Sequence, residues 1–160
     1  RKESSAASDV YKRQDMLRLT GKILSGHCDP QKDFVGHIGG DDFIILFQSE
    51  DWEQRCRAII DAFVAAVPDF YCTEDRKRGG YISEDRRGKQ VFHTLATISL
   101  GLVKVEPGHY GSHHQIAAAT ADAKKQAKKI PGNSLFIDRR QGPYAMEKQN
   151  DDDAAQELVA

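Results

Sequence analysis

Phe34-Val35-Gly36-His37-Ile38-Gly39-Gly40-Asp41-Asp42-Phe43-Ile44-Ile45-Leu46 places two apolar runs on either side of a Gly-Gly-Asp-Asp step. Short runs of β-formers separated by glycine and aspartate predict a β-hairpin, with strands over residues 34–38 and 43–47. Glycine takes positive φ without steric penalty, and its missing side chain lets another group approach the main chain. The second run, Phe43-Ile44-Ile45-Leu46-Phe47, has no polar face. It is therefore expected as a central strand covered on both sides, most easily by helices.

Upstream, residues 1–14 are small and polar without a convincing period, the pattern of a disordered or foreign lead-in. A helix is predicted from Asp15, where Met16, Leu19, Ile23 and Leu24 draw an apolar stripe that Gly26 stops. Pro30 keeps it from resuming.

Downstream, Ser49 is a plausible N-cap, and Glu50 and Asp51 suit the positive end of a helix dipole. Trp52, Cys56, Ile59, Ile60, Phe63 and Val67 recur at helical spacing up to Pro68. Trp52 and Cys56 are on that reading packing residues rather than ligands. Residues 73–89 are charge-dense and read as a solvated loop or irregular hairpin. A strand region follows over 91–105, in which Gly101 is expected where something packs close.

Ser112 and Gln115 make a capping box for a helix with Ile116, Ala119, Ala123, Ala127 and Ile130 on one face. Pro131-Gly132 ends it, and 134–137 is a short last strand. Residues 140–160, with Asp151-Asp152-Asp153, read as a flexible acidic tail. The order helix, hairpin, helix, strand, helix, strand implies an α/β sandwich with a mainly antiparallel sheet.

A net charge of -1 gives no basic signature for nucleic acid. No apolar run approaches the ~20 residues that cross a bilayer, so no direct membrane contact is expected. Cys28, Cys56 and Cys72 are scattered, without paired metal or redox spacing, which suits a reducing cytoplasm. His109, His113 and His114 cluster without a cysteine or clear carboxylate beside them, and read as ordinary loop and cap residues. Asp41 and Asp42 beside two glycines could hold a hard divalent ion facing phosphate oxygens, although Gly-Gly-Asp-Asp alone is also an unremarkable turn.

Residues 34–46 resemble the central hairpin of the GGDEF family, the diguanylate cyclase domains of bacterial cyclic di-GMP signalling. Further matches follow in the family's order. Thr97-Ile98-Ser99-Leu100-Gly101 is similar to its Ser-x-Gly strand, Ala123, Ala127-Lys128 and Asn133 resemble its closing helix and turn, and residues 15–24 resemble the helix before the hairpin. The resemblance covers 15–139 and implies a palm-like, ferredoxin-like related antiparallel sheet with helices packed on it.

It also implies a transferase that joins two GTP molecules into cyclic di-GMP with release of pyrophosphate, using Mg2+ or Mn2+. A second GGDEF domain would complete the site as a homodimer, and a phosphodiesterase or sensory domain could accompany it in the parent. By resemblance Gly39 and Gly40 would approach the nucleotide, Asp41 would bind metal, Asp42 would fill the second acidic catalytic position, and Lys128 would contact terminal phosphates. The alternative is a degenerate, non-catalytic GGDEF domain that binds GTP or regulates a neighbouring cyclic di-GMP phosphodiesterase domain.

Several residues depart from the family. His37 replaces an arginine, Asp42 is one methylene shorter than the usual glutamate, and Pro131-Gly132-Asn133 replaces Gly-Arg-Asn. Asp33 matches the second residue of an inhibitory Arg-x-x-Asp site in which Pro30 stands for the arginine. The family's first core strand, with another metal-binding aspartate, has no counterpart in residues 1–14. The fold is therefore expected to be truncated at its N-terminus, and this chain to be inactive as an isolated piece.

Overall fold

The computed structural model describes residues 4–85 and 87–140, with side chains of the first helix from Lys12 onward. Residues 1–3 of the expected lead-in and 141–160 of the expected acidic tail lie outside the described residues. The chain is a mixed α/β protein with small separate sheets, divided into two compact units, Arg1–Ile98 and Ser99–Ala160.

The first unit begins with α1 (Ser4–Gly26), which starts eleven residues before the Asp15 expected from the apolar stripe. Next come β1 (Phe34–Gly39) and β2 (Asp42–Leu46), paired antiparallel from Phe34↔Leu46 to His37↔Phe43. This is the hairpin anticipated above. Helix α2 (Trp52–Ala66) buries Cys56, Ile59 and Phe63, and Val67 is buried in the 3-10 turn Val67–Phe70 that follows. The stripe was legible, but the cap was not: Asp51 is the N-cap, its side chain accepting from no helix N–H, and Ser49 is used elsewhere.

The covering of β2 differs from expectation. The Phe43 ring lies against α1, where a Cβ on Gly21 would stand 3.7 Å from it. Strand alternation puts Phe34 and its partner Leu46 on the opposite face, and they are 58% and 56% exposed. Among the described residues the Phe43 face is the one on which α1 lies.

Residues 73–89 are more regular than their composition suggests. Helix α3 (Thr73–Arg78) ends on Gly79 in the left-handed conformation. Strands β3 (Gly80–Glu84) and β4 (Gln90–Thr94) then pair over five residues each without a break. The tip is built by Asp85, whose carboxylate accepts from the backbone N–H groups of Arg87 and Lys89. Backbone pairing and an aspartate turn need no apolar period, so hydropathy could not reveal them.

The second unit is a strand–helix–strand crossover of β5 (Ser99–Val103), α4 (His113–Ala127) and β6 (Ser134–Asp138), with β5 and β6 parallel. A helical crossover between neighbouring strands allows this direction, while the other two strand pairs are antiparallel, as expected of most of the pairing. Ser112 caps α4 by accepting from Gln115 N–H, and the Gln115 side chain accepts from Gly111 N–H in return. Ala123 and Ala127 are fully buried. At Gly101 a Cβ would meet the Lys124 backbone nitrogen at 2.3 Å, so strand and helix backbones are in direct contact. The palm-like sheet implied by resemblance would be a larger assembly than these three strand pairs.

Candidate functional site

The Gly39–Asp42 turn is built by a register slip. His37 pairs with Phe43 and Gly39 with Asp42, leaving Ile38 as the extra residue of a bulge, 70% exposed. Gly39 has φ 149° and Gly40 φ 60°, values that L side chains rarely adopt. Open space surrounds both α-carbons, with nothing within 4 Å of an added Cβ. The glycines here serve backbone conformation rather than close packing.

His37 holds this turn from the side. Its Nε2 lies 3.1 Å from the Gly40 carbonyl oxygen, so the ring nitrogen is the donor. The same ring stacks on Phe43 at a centroid distance of 4.6 Å, tilted by 23°. Asp41 is exposed at the apex and Asp42 is half-buried at the first position of β2. The turn thus brings together Gly39, Gly40, Asp41 and Asp42, with two adjacent carboxylates and a glycine backbone open to solvent.

Lys128 lies in the other unit. It is exposed at the C-cap of α4, and its backbone N–H bonds to the carbonyl of Lys124. Gly132, shortly after, has φ 79°. Buried Ser134 donates its hydroxyl to the Ala127 carbonyl and ties the end of α4 to β6.

The hairpin also returns the chain to where it entered. Asp33 accepts from Asp29 N–H and the Ser49 hydroxyl at Oδ2 (2.8 and 2.9 Å), and from Gln48 and Ser49 N–H at Oδ1 (2.9 and 3.0 Å). Loss of water around the carboxyl works to raise its pKa. The backbone hydrogen bonds and the Ser49 hydroxyl outweigh that and hold it at about 2. Close by, Arg55 donates to Asp51 and to the His27 carbonyl. Sequence reasoning missed this cluster, although it was within reach. Once Phe34 faces Leu46, residue 33 must lie beside residues 47–49.

Hard oxygen donors at Asp41 and Asp42 suit magnesium, which uses one or two carboxylates and takes its remaining ligands from water and phosphate. Among the described residues no group of three or more His, Cys, Asp or Glu side chains gathers to hold a metal. The histidine segment is no exception: His113 and His114 lie ring to ring at 4.0 Å, and His109 faces Glu106 at 3.6 Å. Among the described residues no helix is long and apolar enough to cross a membrane. Comparison with protein-family models, curated proteins and solved structures finds no match.

Proposed function

We propose that the chain carries a GGDEF-type domain which, in the intact parent, handles GTP with Mg2+ or Mn2+ in cyclic di-GMP synthesis in the cytoplasm. One observation carries the reading. The hairpin presents two glycines with positive φ and an exposed carboxylate at its apex, beside a second carboxylate. A bulged hairpin suits that task, since the slip re-aims side chains at the turn.

In this reading Asp41, with Asp42 beside it, would hold the ion. When bound, the ion would neutralise phosphate charge and activate the attacking hydroxyl. Gly39 and Gly40 would let the nucleotide reach the main chain. A second domain of the same kind would bring the other GTP.

The reading of a degenerate domain, which binds GTP and regulates a phosphodiesterase domain without synthesis, is favoured by His37 and Gly132, which stand where the family pattern has arginine.

The deciding experiment is titration of the chain with GTP and Mg2+, beside Asp41→Asn, followed by assay of the intact parent for cyclic di-GMP. Magnesium-dependent GTP binding, lost in Asp41→Asn while unfolding is unchanged, is expected. Product formation by the parent would select catalysis over regulation. Binding that ignores both the substitution and chelation of the metal would overturn the metal role.

A further inference from the structure

We infer that His37 is a positioning residue that fixes the Gly39–Asp42 turn by clasping the Gly40 carbonyl. Three features of the hairpin converge on it. The bulge at Ile38 and the positive φ of two consecutive glycines make this backbone the part of the hairpin least defined by pairing. Glycine is also the residue with the most conformational freedom to lose on folding. Something outside the strand ladder therefore has to hold the turn, and the His37 Nε2–H at 3.1 Å from the Gly40 oxygen does so.

Phe43 sets the ring. It is the cross-strand partner of His37, and the two rings lie nearly parallel at 4.6 Å. Phe43 is in turn seated against α1 at Gly21. The turn is thereby referenced to the helix through a short chain: α1, Phe43, His37, Gly40. The hydrogen bond fixes the Gly40 carbonyl immediately before Asp41, the exposed residue of the apex.

For ligands the inference rests on the GTP and metal reading above, and says that His37 sets the placement of the carboxylates without itself touching nucleotide or ion. For the turn itself it stands without that reading.

Two substitutions separate donor from ring. His37→Phe keeps an aromatic ring against Phe43 and removes the N–H. His37→Gln keeps an N–H donor and removes the ring. In His37→Phe the amides of residues 40–43 should exchange with solvent about 2- to 10-fold faster, the range one partly solvated hydrogen bond carries. The equilibrium constant for urea unfolding should shift by no more than that same 2- to 10-fold. His37→Gln should restore wild-type exchange to within about twofold, because a side-chain amide can supply the same donor. In wild type, nitrogen NMR of the neutral ring should show the proton on Nε2.

Wild-type exchange in His37→Phe, exchange in His37→Gln as fast as in His37→Phe, or a proton on Nδ1 would each overturn the clasp. With GTP and Mg2+ as probes, affinity should fall in His37→Phe and recover in His37→Gln. If no form binds GTP while exchange follows the expected order, the nucleotide reading fails and the clasp stands.

Discussion

Gly101→Ala is the sharpest test of how the second unit is built. The added methyl would lie 2.3 Å from the Lys124 nitrogen, 2.5 Å from the Ala123 carbonyl carbon and 2.6 Å from the Lys124 α-carbon. Ordinary contact needs about 3.5–4.0 Å, so β5 and α4 must part by about 1 Å or more. All three obstacles are backbone, and no rotamer change can relieve them. Overpacking of this kind costs about 1–3 kcal/mol. The smaller entropy of an unfolded alanine chain offsets about 0.4–1 kcal/mol of it.

A net loss of about 1–2 kcal/mol remains, which should lower the urea midpoint by about 1 M for a slope of 1–3 kcal/mol per M. Hydrogen exchange should localise the damage to α4 and the β5–β6 pair. Gly26→Ala is the control. It has nothing within 4 Å of the new Cβ and does not use positive φ, so it should leave stability unchanged or raise it. Equal midpoints for Gly101→Ala and wild type would refute the close approach.

Two other outcomes follow from the first unit. Asp33 is held at about 2, below its ordinary 3.8, so folding favours its charged form. Its contribution is complete above about pH 4 and disappears as pH falls towards 2. Acid titration of Asp33→Asn should lack that component, with the unfolding midpoint followed by circular dichroism; the same acid slope in both proteins would contradict the hydrogen-bonded carboxylate. Of the three thiols only Cys72 is exposed, and burial pushes Cys56 up to about 12, with Cys28 also raised by burial. A thiol reagent at neutral pH should therefore label one cysteine per chain rapidly and three in denaturant, and a second fast thiol would contradict the α1–α2 packing.

What could be read from sequence divides by mechanism. The hairpin at 34–46 and the stripe of α2 were legible because burial repeats at the period of the element, and Ser112 with Gln115 because capping is local. Gly101 was legible as a place of close approach, though not what approaches it. The β3–β4 hairpin was blurred because Tyr81, Ile82, Phe92 and His93 stay substantially exposed and its order lies in backbone pairing. The parallel direction of β6 depends on the path of α4, which no local residue states. At the candidate site, the glycines and carboxylates stand in the sequence, but the His37 contact depends on a bulge that shifts the register by one residue.

By resemblance Asp33 also falls at the second position of an Arg-x-x-Asp inhibitory site. An ionised carboxylate offers about four acceptor positions, two on each oxygen. Asp33 receives four hydrogen bonds from within the chain, two on Oδ1 and two on Oδ2. Binding cyclic di-GMP there would require at least one of them to be exchanged for a ligand donor. Pro30, where the related pattern has arginine, offers neither charge nor an N–H in return. A ligand would thus dismantle the joint between the 29–33 loop and the end of the hairpin without gaining a bidentate partner. Titration of the chain with cyclic di-GMP should accordingly leave the Asp29, Gln48 and Ser49 amide resonances in place at concentrations that saturate an Arg-x-x-Asp site. Movement of those resonances, abolished by Asp33→Asn, would show that the loop opens for the nucleotide and that its four internal bonds are weaker than their geometry implies.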